Sequence, residues 1–214
     1  EGCRTVGLLA KSMGVQFATL AELFIPTLLK QVGSASSQIM TGAAIRAMYN
    51  IIGCTDVGFP RCIHLLLEGY SSKVPPLRLC ALNFVTLCCS LWSTDGFDKY
   101  QSLLKTTIES GIIDKNPDAR KAARRLFWIL YDRKSSSNIN WREYMQKILK
   151  NIDAQSRKTL ISEIVTSNGN VISLSCELKE LILKFTPSNV GGSTMGVGIA
   201  SGSGTIPNNT RPGR

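Results

Sequence analysis

The sequence predicts an all-α fold, a HEAT-repeat (armadillo-like) α-solenoid, and three observations carry that prediction. Apolar residues recur at helical spacing from the first residues to about Ile164. Clusters of Gly, Pro, Ser, Asn and Asp interrupt them every roughly 15–20 residues. Alternate helices also align on a shared small position: Cys3-Arg4-Thr5-Val6-Gly7, Ile39-Met40-Thr41-Gly42-Ala43, Leu77-Arg78-Leu79-Cys80-Ala81 and Ala119-Arg120-Lys121-Ala122-Ala123. The copies are offset by 36, 38 and 42 residues, a period that suits a two-helix repeat. A small residue there lets the second helix of each pair approach its neighbour closely.

The expected helices cover 2–14, 18–32, 37–53, 58–70, 75–92, 97–112, 117–133, 140–150 and 153–166. No period-2 stretch argues for a strand. Two helix starts are explicit. Pro75 and Pro76 follow Ser71-Ser72-Lys73-Val74, and Pro117 follows Asp114-Lys115-Asn116. Proline in a first helical turn gives up an N–H that would have no partner anyway. Asn116 is expected to cap its helix, and Asp118 places a negative charge against the helix dipole. Beyond Thr166 the composition shifts. Residues 167–214 read as a Ser/Gly/Pro-rich flexible linker with a short helix over 175–185, because so few large apolar residues cannot offset the entropy of ordering. Glu1 stands directly inside a periodic stretch, so residues 1–166 read as part of a domain whose beginning is missing, about four and a half repeats long.

Composition excludes several classes. Hydrophobic residues make up 43%, enough for a continuous core. No uninterrupted apolar run of 18 residues appears, so no membrane span is expected. Seven cysteines occur without a CxxC and among Leu, Val and Ile, and are expected as reduced, buried thiols. His64, the lone histidine, cannot build a metal cluster and is expected in the core. It leaves no Ser–His–Asp or Cys–His set, and Gly196-Val197-Gly198 lacks the strand and helix a phosphate cradle needs. The expectation is a binding module, not an enzyme, with no cofactor.

Net charge is +10, and residues 115–158 hold +8 of it, with twelve basic and four acidic residues. Such a field attracts an acidic partner. Arg120, Lys121, Arg124 and Arg125 fall on two adjacent helical stripes. Arg124 and Arg125 read as a solvated or paired face, and Arg120 as a partner for Asp114. Phe127, Trp128 and Tyr131 read as core. Nucleic acid is not the expected ligand, since the basic residues are diluted by apolar helix faces.

The runs Ile39-Met40-Thr41-Gly42-Ala43-Ala44-Ile45-Arg46, Ser72-Lys73-Val74-Pro75-Pro76-Leu77-Arg78 and Gly111-Ile112-Ile113-Asp114-Lys115-Asn116-Pro117-Asp118-Ala119-Arg120 resemble a TOG domain of the CLASP family, cytoplasmic linker-associated proteins. That resemblance implies a flat paddle of HEAT repeats whose intra-repeat loops line one edge and bind αβ-tubulin. It implies a microtubule-stabilising role that suppresses catastrophe and promotes rescue, in a cytoplasmic, cytoskeletal setting at plus ends and the spindle. Carried over, the binding edge comprises Ser36, Gln38, Lys73, Arg78, Lys115, Asn116, Arg120 and Lys121. Two departures stand out: the first repeat, with its aromatic anchor, has no counterpart, and Leu79 and Cys80 stand where relatives are more basic. In the tail, Gly204-Thr205-Ile206-Pro207 approximates the Ser-x-Ile-Pro motif for end-binding proteins, with glycine in place of serine. The alternative reading is a generic HEAT-repeat scaffold that binds another acidic protein or peptide.

Overall fold

A computed structural model describes residues 1–34, 37–56, 58–93, 95–134 and 139–163. Among them are nine α-helices and no strand: α1 Gly2–Met13, α2 Ala18–Ser34, α3 Gln38–Ile52, α4 Pro60–Tyr70, α5 Pro75–Leu91, α6 Gln101–Ile112, α7 Pro117–Lys134, α8 Ile139–Asn151 and α9 Ala154–Ser162. The linker expected over 167–214, its short helix and the end-binding-protein motif lie outside the described residues.

The helices form two layers. Helices α1, α3, α5 and α7 stack in order in one, and α2, α4 and α6 in the other. Pairs α2–α3, α4–α5 and α6–α7 each bridge the layers, so the chain is an α-solenoid of the HEAT type. The described loops inside the pairs, at 71–75 and 113–117, therefore lie along one edge, and 152–154 continues the series, with α8 bonded to α6 and α9 to α7.

The helix starts follow local chemistry. Pro60, Pro75 and Pro117 each occupy the first position of a helix. Asn116 Oδ1 accepts from the N–H groups of Asp118 at 2.8 Å and Ala119 at 3.3 Å. Asp153 Oδ1 accepts from Ser156 N at 2.9 Å at the start of α9. Close approach follows the small positions. A Cβ on Gly111 of α6 would stand 2.6 Å from that of Ala123 in α7, and one on Gly69 of α4 would stand 3.5 Å from that of Ala81 in α5.

The core runs unbroken through both layers. Trp92, Trp128, Trp141, Phe17, Phe97 and Phe127 are its largest fully buried side chains. Buried indoles need an acceptor. Trp92 Nε1 donates to the Ile52 carbonyl at 2.8 Å, and Trp128 Nε1 to that of Leu160 at 2.7 Å. Both carbonyls belong to last helical turns, where the helix itself offers no donor. Phe127, Trp128 and Tyr131 are packed against one another in the core, as their spacing predicts. Cys62, Cys80, Cys88 and Cys89 are buried, while Cys3 and Cys54 are partly exposed. Burial pushes the Cys62 and Cys80 thiols up to about 12. Cys176 lies outside the described residues.

Two expectations need correction. The helix expected from 97 begins as a 3-10 turn, Asp95–Tyr100, before α6. His64 is not a core residue: its side chain is 43% exposed, and Nδ1 lies 3.5 Å from the carboxylate of Glu68 one turn on. The i,i+4 spacing on an amphipathic helix puts both at the rim of the buried stripe. By length and composition alone, the helical stretch Gly2–Ser34 is long and apolar enough to cross a membrane, which is weak evidence, since core helices pass the same test. A 3-10 turn, Gly14–Phe17, divides it, and Gly14 takes φ 55° there. Its residues Ala10, Phe17, Ala21, Ile25, Leu28 and Leu29 belong to the common core.

Gly58 shows how tightly that core is fitted. It holds φ 82°, and a Cβ there would lie 2.5 Å from the Trp92 ring. Gly58→Ala combines a disfavoured backbone with a clash and is expected to cost about 2–4 kcal/mol. Denaturant unfolding followed by tryptophan fluorescence measures it.

Candidate protein-interaction edge

The edge is built from inside outward by arginines. In α5 the fourth residue is Arg78, in α7 Arg120 and in α9 Arg157. Each side chain turns back on the loop before its helix. Arg78 Nη1 donates to the carbonyls of Ser72 and Lys73, both at 3.2 Å. Arg120 Nη1 donates to those of Asp114 at 2.7 Å and Lys115 at 3.1 Å. Arg157 reaches Leu149 at 2.7 Å, Ile152 at 2.9 Å and Lys150 at 3.1 Å. The fork of guanidinium donors satisfies several carbonyls of the preceding loop or helix end at once, which a lysine cannot do in this geometry.

Asp114 couples one loop to the next. Its Oδ2 accepts from Arg78 Nε at 3.1 Å and its Oδ1 from Arg78 Nη2 at 3.2 Å, a bidentate pair spanning two repeats. Oδ1 also accepts from Asn116 N at 2.8 Å, and Oδ2 from the Tyr70 hydroxyl at 3.3 Å. The side chains of Arg78 and Asp114 are 18% and 6% exposed. Burial raises the Asp114 carboxyl, but Arg78, the Asn116 N–H and Tyr70 more than offset it, leaving it below its ordinary value. The Arg78 guanidinium is raised, chiefly by its hydrogen bond to Asp114. Burial is the main cause that raises the Tyr70 hydroxyl.

The eight edge residues therefore divide into two kinds. Lys73, Lys115 and Lys121 are exposed, as is Gln38 in the first turn of α3. Arg78, Arg120 and Asn116 are committed to loop and cap hydrogen bonds. Ser36 lies outside the described residues. The Arg120–Asp114 contact also differs from expectation: Arg120 holds the Asp114 backbone carbonyl, while the carboxylate goes to Arg78. Between the 71–75 and 113–117 loops lies an open cleft of about 880 Å³, with Lys73, Arg78, Lys115 and Asn116 in its walls. Asp118 is the one carboxylate in its lining.

Other basic residues lie off this edge or are engaged. Arg124 pairs with Glu163 of the α9 end, Nε to Oε2 at 2.7 Å and Nη2 to Oε1 at 3.0 Å. Arg133 donates to the Cys89 carbonyl. Cys80 is buried, and Leu79 lines a groove against Ile45 and Tyr49 of α3, so neither faces the loop edge. Among the described residues, no group of three His, Cys, Asp or Glu side chains could hold a metal ion. Sequence reasoning passed over two exposed aliphatic residues at the edge, Val74 and Ile113; Ile39, in the first turn of α3, is exposed as well.

A family model described as CLASP N terminal matches residues 1–161. The chain belongs to the CLASP family. Its fold is a CLASP TOG-type domain. It is 28% identical over 174 residues to CLIP-associating protein 1 of Xenopus tropicalis, covering 81% of this chain and 11% of that protein. It is 30% identical over 162 residues to CLIP-associating protein 1-A of Xenopus laevis, covering 72% and 11%. With CLIP-associating protein 1-B of the same species it shares 32% over 128 residues, 60% of this chain and 9% of the other. The chain thus spans about a tenth of the length of these curated relatives.

The coupling through Asp114 is testable in this CLASP-family domain. Asp114→Asn keeps the shape but removes the charge that Arg78 faces, and should cost about 1–3 kcal/mol at neutral pH. A carboxyl whose folded pKa is lowered stabilises fully above its ordinary value of 3.8 and loses that contribution as pH falls through the folded value. Wild type and variant should differ by a constant amount across neutral pH and converge in acid, as read by urea unfolding at a series of pH values.

Proposed function

We propose that this domain binds αβ-tubulin through the loop edge and serves, without catalysis, as a module of a microtubule plus-end stabilising protein. In this reading it acts in the cytoplasm on the microtubule cytoskeleton, with catastrophe suppression and rescue as the outcome. Residues 167–214 serve as the linker that follows the domain.

One observation supports this most: Lys73 and Lys115 stand exposed on consecutive, internally braced loops that wall a cleft with a single lining carboxylate, and Lys121 is exposed in the second turn of α7. Tubulin is strongly acidic, so charge complementarity favours encounter and orientation. Because the loops are fixed by hydrogen bonds to Arg78 and Arg120, little ordering is required when they meet a partner. Membership in a family of CLIP-associating proteins agrees with a cytoskeletal role.

The lysines, and not the arginines, are the residues to test. Lys73→Glu, Lys115→Glu and Lys121→Glu combined should weaken binding of free tubulin about 10–100-fold at low salt while leaving the thermal midpoint within a degree or two. Size-exclusion co-elution and a binding titration measure the first, and a melting curve the second. Equal affinity of wild type and triple variant would remove the edge assignment. Binding of other acidic proteins with no preference for tubulin would instead identify a generic scaffold.

A further inference from the structure

We propose that the edge carries an apolar half as well as a basic one, and that Ile39, Val74 and Ile113 are its contact residues for an acidic protein surface with apolar patches. This rests on the tubulin reading above and deepens it.

Val74 breaks a local rule, and Ile113 and Ile39 are the most exposed aliphatic side chains beside the loops. Val74 is the N-cap of α5, an extended residue at φ −84°, ψ 111°, and offers no side-chain acceptor to the helix. Valine is among the poorest residues there, where Ser, Thr, Asn and Asp are preferred. Ser72 Oγ instead accepts from Val74 N at 3.1 Å, so bracing comes from two residues away. Ile113 ends α6 as its C-cap at φ −108°, ψ 12°, and its aliphatic side chain is 68% exposed. Ile39 lies in the first turn of α3 and is 81% exposed.

None of the three belongs to the core cluster or packs against it. The chain places polar caps where they suit, with Asn116 before α7 and Asp153 before α9. In the 152–154 loop the aliphatic residue Ile152 does pack on the core. Single exposed aliphatic residues are ordinary on protein surfaces. One beside each of three successive intra-pair connections, with Val74 at a cap that favours a polar side chain, is not. Local rules broken without a folding benefit point to binding.

Val74 adjoins Lys73, and Ile113 lies two residues from Lys115. Each of these two loops therefore presents a cation beside an aliphatic group. The partner that fits has carboxylates interspersed with apolar side chains, as an acidic globular protein has and a polyanion such as nucleic acid lacks. In such an interface the lysines govern encounter and salt dependence, while desolvated aliphatic contacts govern the lifetime of the complex.

The test uses the full chain with Ile39→Gln, Val74→Ser and Ile113→Asn combined, titrated with tubulin at low and at high salt. Affinity should fall about 10–30-fold at both, since burial of aliphatic area is not screened. The thermal midpoint should hold, because none of the three side chains packs on the core and Ser suits an N-cap better than Val. Affinity within twofold of wild type overturns the inference and leaves the tubulin reading standing. So does a lowered thermal midpoint, which would place these side chains in the service of the fold. If the unmodified chain fails to bind tubulin at either salt concentration, the reading and the inference fall together.

Discussion

The pair between Arg78 and Asp114 is the interaction on which the edge depends. A solenoid is held by contacts between neighbouring repeats, and its layers stack by apolar packing that tolerates small slides. A bidentate ion pair tolerates far less, because both N–H to oxygen distances must be kept. This one joins the start of α5 to the loop before α7. The same carboxylate accepts from the Asn116 N–H and from Tyr70, so a single side chain fixes two loops and the last residue of α4. The spacing of Lys73 and Lys115 across their cleft follows from that.

The tryptophans play a corresponding part deeper in. Each of the two whose donors reach carbonyls finishes a helix that cannot finish itself: Trp92 closes α3, and Trp128 closes α9. Alongside the Arg124–Glu163 pair, Trp128 fastens α9 to α7. Apolar burial thus supplies the driving force, and a few polar atoms within it decide where each helix must stop.

The architecture was legible in the sequence because it is written in strong local signals. Prolines at helix starts, an Asn cap and the recurring small position each follow from backbone sterics. Gly111 against Ala123 confirms the reasoning behind the small position. The edge was legible less fully. Arg78, Lys115 and Arg120 look alike as charges along a chain, and only the fold shows that two of them turn inward to carbonyls. His64 sits in an apolar run yet at the rim of its helix, a matter of a fraction of a turn. Nothing in the sequence marks Val74 and Ile113 as exposed. Their exposure depends on where each helix ends, the least certain feature of any sequence reading.

The division of labour between the two cationic side chains has a chemical corollary. Every cation that braces a loop is an arginine, which stays protonated and has no amine to acylate. The three cations that face outward, Lys73, Lys115 and Lys121, are all primary amines. Acetylation of any of them would erase a charge from the edge while leaving every loop hydrogen bond in place. The edge is thereby divided into a permanent frame and an erasable charge, and its electrostatic strength could be set in steps of one without disturbing its shape.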